Sequence, residues 1–222
     1  MPHSHRLLGR RPVRNLLPGD LHCERASQYL GTVLGSCVSV CLWEQRLRFG
    51  GMNHFVLPNR PSNAEKSFRF GDDAINELIR RLVDLGGDIR HIQAKLFGGA
   101  YVLRAGSPEY AVGRRNVEIA VAELRRHKIP IVASRLSGTQ GLVIRQCTDC
   151  GKVWVRPVGG MSQTPPPPAD IHELPCFSED IVTAMIIRAE DGLPVTVRTR
   201  QPAHCSQDCL NCSTSPTGWR QT

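Results

Sequence analysis

Aromatic residues are scarce in this sequence, and long apolar runs are missing. Phe, Tyr and Trp make up 5% of the 222 residues, which argues against a module that binds RNA by stacking bases on aromatic side chains. A membrane-spanning helix needs about 20 consecutive apolar residues, whereas the apolar runs here have only the length of a strand. The sequence therefore predicts a soluble protein that does not insert into a membrane.

The features of a secreted protein are also missing. Residues 1–24 are rich in arginine but contain no continuous apolar segment before a small-residue cleavage site. The nine cysteines do not follow the regular spacing of a small domain held by disulfides. We therefore predict that the protein is cytoplasmic and that residues 1–24 form a basic, flexible N-terminal arm.

Acidic residues are fewer than basic ones. The chain has 28 Lys and Arg against 20 Asp and Glu, which gives a formal net charge of +8. This surplus favours an acidic partner, and nucleic acid, an anionic membrane surface and an acidic protein all meet that description. The arginines are scattered along the chain, so a basic surface without a specific partner is the simpler alternative.

The spacing of apolar residues predicts a domain of the α/β or α+β class. Val38, Val40 and Leu42 alternate with less apolar positions as in a strand, and a second apolar stretch over 49–57 follows a polar break. We predict that these two strands form a hairpin. The other predicted elements are a helix capped by Asp72 and stopped at Gly86-Gly87, a strand over 92–97, a helix from Asn116 to before Pro130, a strand over 129–136, and a hairpin of 142–146 with 152–158.

The composition changes after residue 158. Four consecutive prolines at 165–168 are typical of an extended linker, and Cys205, Cys209 and Cys212 follow. We predict a domain over 25–158, followed by a proline-rich linker and cysteine-containing tail over 159–222. The tail cysteines, with Cys147 and Cys150, could supply thiolates to zinc, but incidental cysteines are the simpler interpretation, and we predict no metal site.

One cysteine and one histidine have the pattern of a catalytic pair. Cys37 follows Gly35-Ser36 at the start of the first hairpin strand, and His54 lies on the second. A histidine beside a cysteine can accept the thiol proton and activate the sulfur for attack on an amide carbon. Backbone N–H groups near Ser36 and Cys37 are candidates to bind the oxyanion. The competing interpretation is that both residues are ordinary core side chains.

Several motifs in the same order resemble the chemoreceptor glutamine deamidase family of bacterial chemotaxis, known as CheD. The motifs are VLGSCVSVCLW, RFGGMNHFVLP, FRFGDDAINELI, KLFGGA, GRRNVEIAVAEL, IPIVASRLSGTQG and GKVWVRP, which together cover roughly residues 25–158. The resemblance implies an α/β sandwich of sheet layers flanked by helices, similar to the catalytic domain of glutamine-deamidating toxins. It also implies that Cys37 is the nucleophile and His54 the base.

The resemblance further implies a substrate and a third site residue. The substrates are glutamines in the helical cytoplasmic region of methyl-accepting chemotaxis receptors, converted to glutamate without any cofactor, and a chemotaxis phosphatase of the CheC type is a possible partner. The family's threonine six positions before the cysteine falls on Gly31 here. The neighbouring Thr32 is therefore the residue predicted to orient His54.

Two other functions fit parts of the sequence. A non-catalytic adaptor that binds receptors or the phosphatase would keep the family fold without using the Cys37 and His54 chemistry. A zinc-stabilised nucleic-acid binder would use the net charge of +8 and the cysteine pairs. Intact Cys37 and His54 favour the deamidase over the adaptor, and metal analysis of the purified protein would test the zinc-stabilised binder. With the deamidase as the leading hypothesis, no nucleic-acid partner is predicted.

Overall fold

The computed structural model describes residues 12–100, 108–158, 195–198 and 220–221. They form β-strands, two α-helices and a 3₁₀ turn at Ile89–His91. The strands and helices, in chain order, are β1 (Val13–Asn15), β2 (Leu21–Glu24), β3 (Tyr29–Leu34), β4 (Val38–Glu44), β5 (Phe49–Asn53), α1 (Gly71–Asp84), β6 (Ile92–Gly98), α2 (Pro108–Arg126), β7 (Ile131–Leu136), β8 (Leu142–Cys147), β9 (Val153–Pro157), β10 (Val195–Arg198) and β11 (Arg220–Gln221).

The strands form two mixed sheets. The first sheet has the order β1-β3-β8-β9-β11, and the second has the order β10-β7-β6-β4-β5-β2. Most neighbours are antiparallel, whereas β1 pairs with β3 and β6 pairs with β7 in parallel. The predicted hairpins are confirmed, since β4 pairs with β5 and β8 with β9 in antiparallel register.

The two sheets and the helices form three layers. Strand β4 lies in the middle layer and is buried on both faces. Its residues Val38, Val40 and Leu42 pack with α1 and α2, while Cys41 packs with side chains of the first sheet. Successive strand residues point to opposite faces of a sheet. The alternating residues of β4 therefore contribute to two different cores, one on each face of the sheet. The predicted layered sandwich of sheets flanked by helices is confirmed.

Most features predicted for the first helix are confirmed. Helix α1 spans Gly71–Asp84, buries its apolar stripe, and is followed by Gly86 at φ +91°. The cap differs, because Phe70 is the N-cap and makes no side-chain cap bond. The Asp72 carboxylate instead lies in the first turn and accepts the N–H of Arg60 at 3.1 Å, so it fixes the preceding loop.

The second helix begins earlier than predicted. Its stripe of Val117, Ala120, Val121 and Leu124 is buried as expected, but α2 starts at Pro108 rather than near Asn116. Proline is favoured in the first turn of a helix because an N–H group at that position would have no partner within the helix. Neither α1 nor α2, the two α-helices of the described residues, is long and apolar enough to cross a membrane.

Part of the segment assigned to the N-terminal arm belongs to the fold. Within residues 12–24, β1 pairs with β3 and β2 pairs with β5, and Leu16 between them is buried. The sequence pattern did not reveal these two short strands, because all three side chains of β1 are exposed to solvent. Residues 1–11 lie outside the described residues.

Two short segments of the C-terminal region also join the sheets. Strand β10 pairs with β7 and β11 pairs with β9, both antiparallel. The rest of residues 159–222, including Cys205, Cys209 and Cys212, lies outside the described residues. The linker assigned to this region therefore stays a prediction.

Candidate active site

Cys37 lies where the chain crosses from one sheet to the other. Strand β3 of the first sheet ends at Leu34, and β4 of the second sheet begins at Val38. The short connection Gly35-Ser36-Cys37 is half-buried, and Cys37 packs against the cluster between the sheets. The thiol is therefore at the end of the sandwich and partly accessible.

His54 follows directly on the strand beside β4. Val38 and Phe55 form an antiparallel bridge, with N–H to carbonyl distances of 3.2 and 3.1 Å. Cys37 and His54 each precede one member of this bridge, so they are diagonal neighbours across the pair. Diagonal neighbours on one face lie within reach of long side chains. The hairpin thus brings the two predicted residues to the same end of the sheet.

Thr32 connects His54 to the other sheet. Its Oγ1 lies 2.8 Å from His54 Nδ1 and 2.8 Å from the carbonyl oxygen of Leu16. The carbonyl can only accept a hydrogen bond, so the Thr32 hydroxyl donates to Leu16 and accepts from His54 Nδ1–H. This chain of bonds selects the tautomer in which His54 Nε2 carries a free lone pair.

That second ring nitrogen has the properties of an available base. His54 is 3% exposed, and among the residues the structure describes its Nε2 has no hydrogen-bond partner. Buried polar atoms are normally paired, so an orphaned ring nitrogen at the sheet end that carries Cys37 is a functional signal. Its lone pair is available to accept a proton.

The loop between β1 and β2 holds His54 from its backbone. The N–H of Gly19 donates to the His54 carbonyl at 2.7 Å, and the N–H of His54 donates to the Asp20 carbonyl at 2.9 Å. Together with Leu16 behind Thr32, this loop fixes both the main chain and the ring of His54. Sequence reasoning missed it; the Pro18-Gly19-Asp20 turn signal is the only local trace of it.

Burial sets the protonation of both groups in the free protein. It lowers the pKa of His54 below its ordinary value of 6.5, although the Leu16 carbonyl and the Asp20 charge act in the opposite direction. Burial also raises the pKa of the Cys37 thiol above 9.0, against its own backbone N–H and the charge of Arg69. At neutral pH the pair is therefore a neutral thiol beside a neutral imidazole, rather than an ion pair.

The turn that carries Cys37 is held by hydrogen bonds to its carbonyl groups. The carbonyls of Gly35 and Cys37 accept the N–H groups of Ala100 and Gly99, both at 2.8 Å. The carbonyl of Ser36 accepts the side-chain amide of Asn116 at 3.1 Å. Because these carbonyls are occupied, the main chain of the turn is held in place at Cys37.

Asn116 also reaches the strand of His54. The same amide nitrogen donates to the Val56 carbonyl at 2.8 Å, and Asn116 is fully buried. One side chain of α2 thus ties the residue before Cys37 to the second residue after His54. Sequence periodicity indicated Asn116 only as a helix start, and nothing in its local pattern indicates this bridge.

A glycine pair lets the end of β6 approach the nucleophile turn. Gly98 has φ +109°, and a Cβ placed on it would lie 2.1 Å from the Cys37 carbonyl oxygen. Gly99 also has a positive φ of +68°. Glycine at both positions permits the positive φ and the close approach of the two backbone segments.

The other described cysteines have different surroundings. Cys41 is 2% exposed, and burial raises its pKa to about 12, so it is a core residue. Cys147 and Cys150 are buried with Trp154 at the β8–β9 turn. No cluster of three or more His, Cys, Asp or Glu suited to a metal ion occurs within residues 12–100 and 108–158.

Comparison with known proteins gives consistent matches. A family model described as CheD chemotactic sensory transduction matches residues 56–157. A protein of Rhodospirillum rubrum named probable chemoreceptor glutamine deamidase CheD is 43% identical over 176 residues, which cover 76% of this chain and 97% of the relative. A protein of the same name from Trichlorobacter lovleyi is 39% identical over 144 residues, covering 64% and 89%. A relative from Shewanella oneidensis, named probable chemoreceptor glutamine deamidase CheD 1, is 40% identical over 130 residues, covering 57% and 63%.

Proposed function

The chain belongs to the CheD family, and from this premise we propose that it is a protein-glutamine deamidase acting on chemoreceptors. Its substrates are glutamine side chains in the helical cytoplasmic region of methyl-accepting chemotaxis receptors, and its products are glutamate and ammonia. The relatives' names, probable chemoreceptor glutamine deamidase, support this reaction. The observation that carries the proposal is the free, buried Nε2 of His54 at the sheet end where Cys37 lies.

The first half of the reaction forms a thioester. The Cys37 sulfur attacks the carboxamide carbon while its proton passes to His54 Nε2. Backbone N–H groups around Ser36 and Cys37 are proposed to bind the oxygen that becomes negative. The imidazolium then gives its proton to the leaving nitrogen, the C–N bond breaks, and ammonia departs.

The second half restores the enzyme. A water molecule loses a proton to His54 Nε2 as it attacks the thioester carbon, and the carbon–sulfur bond breaks. The proton returns to the Cys37 sulfur, which leaves a glutamate carboxyl on the receptor. Thr32 takes part through orientation, because its hydroxyl accepts from Nδ1–H and is the partner of the imidazolium formed in both halves.

The test is incubation with a receptor cytoplasmic fragment, followed by mass spectrometry of its glutamine-containing peptides. The wild-type protein should replace an amide NH₂ by OH at particular glutamines, and Cys37→Ala should abolish the change. Thr32→Val should lower kcat by about 10- to 100-fold, less than the full general-base effect of about 10²- to 10⁴-fold, because it disturbs the orientation of the base without removing it, and Thr32→Ser should keep most of the activity. Receptor binding without turnover in the wild type would instead support the adaptor function.

A further inference from the structure

Arg69 is an exposed cation without a partner in the described part of the chain. Its side chain is exposed, and no residue within 12–100 or 108–158 accepts a hydrogen bond or ion pair from its guanidinium. Its backbone is firmly held, since the Arg69 carbonyl accepts the N–H groups of Val56 and Leu57, both at 2.9 Å. A fixed backbone thus presents an unpaired charge.

The neighbouring cations differ from Arg69 because each has a carboxylate. Lys66, Arg80 and Arg81 bind Glu77 at 3.3, 2.6 and 2.9 Å. These contacts, led by the hydrogen bond from Arg80, lower the pKa of Glu77 to about 2, so the carboxylate stays ionised. Lys66, Arg80 and Arg81 are therefore held by Glu77, whereas the guanidinium of Arg69 is available to a ligand.

Arg69 stands beside the catalytic pair. Its Cγ packs against Gly19, where an added Cβ would lie 2.9 Å away, and Gly19 donates its N–H to the carbonyl of His54 at 2.7 Å. The segment that Arg69 anchors, Val56-Leu57, begins two residues after His54. Its charge also lowers the pKa of the Cys37 thiol, against the larger effect of burial. The field of Arg69 therefore extends to the reacting sulfur.

There is room for a substrate side chain next to Arg69. An open pocket of about 560 Å³ is lined by Gly19, Lys66, Ser67, Phe68, Glu77 and Arg80. Gly19 thus connects three features: the main chain of His54, the stem of Arg69 and the wall of this pocket. A substrate side chain bound in this pocket would lie next to the stem of Arg69, which packs against the same glycine.

We propose that Arg69 is a specificity-determining residue that binds the carboxylate of a glutamate or aspartate adjacent to the target glutamine. The inference rests on the proposed deamidase function. A guanidinium presents parallel N–H donors that match both oxygens of a carboxylate. An acidic neighbour would place the amide carbon at Cys37, whereas a neutral neighbour would leave it poorly positioned.

The position of the charge can be tested without turnover. Iodoacetate and iodoacetamide both need the same thiolate, so the ratio of their rates at Cys37 reports the local field rather than the thiol pKa. By mass spectrometry of the Cys37 peptide, Arg69→Gln should lower the iodoacetate to iodoacetamide ratio by about threefold or more at low salt. Arg69→Lys should keep the ratio, since it keeps the charge.

Arg46→Gln is the matched control. Arg46 is exposed in the turn between β4 and β5, at the far end of a strand of seven residues, about 23 Å from Cys37. The Arg46→Gln substitution removes the same charge as Arg69→Gln and should leave the iodoacetate to iodoacetamide ratio unchanged. An equal ratio in wild type, Arg69→Gln and Arg46→Gln would overturn the placement of the Arg69 charge at the site.

Specificity is tested with receptor fragments in which the acidic residues around a target glutamine are changed to glutamine. For wild type this change should lower kcat/KM by about tenfold or more, and for Arg69→Gln it should have little effect. Equal discrimination by both proteins would overturn the proposal even though deamidation continues. Loss of all deamidation in wild type would instead refute the proposed function, and the alkylation ratio would still report on Arg69.

Discussion

At the scale of single residues, the site consists of a proton acceptor whose surroundings keep it neutral. His54 is buried, donates through Nδ1 to Thr32, and keeps Nε2 free. The Cys37 thiol is also neutral, because burial raises its pKa. In the proposed reaction, the attack on the amide is therefore accompanied by proton transfer to His54 and does not start from a preformed thiolate.

These protonation states predict the pH dependence of the activity. Burial lowers the pKa of His54 below 6.5, so the imidazole remains a base until the pH falls through that lowered pKa. We expect kcat/KM on a receptor fragment to be flat above about pH 7 and to fall only below about pH 6.5. A pH series from about 5 to 9 measures this. An acid limb with its midpoint above pH 7 would contradict the buried, neutral histidine.

At the scale of elements, the catalytic residues are positioned by parts of the chain distant from them in sequence. The β1–β2 loop holds His54, the end of β6 holds Cys37, and α2 joins both through Asn116. Gly98 permits the approach of β6, and a side chain there would collide with the Cys37 carbonyl. The geometry of the pair is therefore a property of the packed elements.

Asn116→Ala should separate this positioning role from stability. It removes the donor to Ser36 and Val56, and we expect the free energy of unfolding to fall by about 1–3 kcal/mol. We also expect kcat to fall about tenfold or more, because small displacements of reacting groups are costly. Denaturant unfolding and receptor deamidation measure the two effects.

Asn76→Ala is the control for this prediction. The Asn76 amide donates to the Asp72 carbonyl and the Glu123 carboxylate, both at 2.8 Å, and so also ties two elements together, away from Cys37. The free energy of unfolding of the Asn76→Ala variant should fall by a similar amount, while its kcat per folded molecule stays near that of the wild type. Equal losses of kcat in both variants would show that Asn116 acts through stability alone.

At the scale of the whole molecule, the net charge of +8 acts on the rate of encounter with the substrate. A basic protein is attracted to a glutamate-rich helical surface before any specific contact forms. Such attraction weakens as salt shortens the screening length from about 30 Å at 0.01 M to about 10 Å at 0.1 M. The chemistry between Cys37 and His54 lies inside the bound complex and does not share this dependence.

Salt should therefore lower kcat/KM and leave kcat unchanged. We expect a decrease of severalfold in kcat/KM on a receptor fragment between about 0.01 and 0.1 M salt. Steady-state rates at several salt concentrations, with an uncharged glutamine peptide as the control substrate, measure this effect. A kcat/KM that is flat across this range would exclude electrostatic steering.

The sequence by itself determined the elements whose cause is local. The alternation in β4 and the apolar stripe of α1 follow from burial at fixed periods, and Gly98-Gly99 marks a conformation that other residues avoid. The hairpin that joins Cys37 and His54 also follows from neighbouring segments. The early start of α2 and the strands within residues 12–24 were missed, since short or charged segments carry a weak periodic signal.

Only the tertiary structure decided what surrounds the pair. Thr32 lies on β3 of one sheet and His54 beside β4 of the other, so their 2.8 Å contact depends on how the sheets pack. Leu16, Asn116 and Arg69 reach the site from three further segments for the same reason. Sequence periodicity specifies which face of an element is buried, but not which side chains meet across two layers, because that register is set by packing of the whole core.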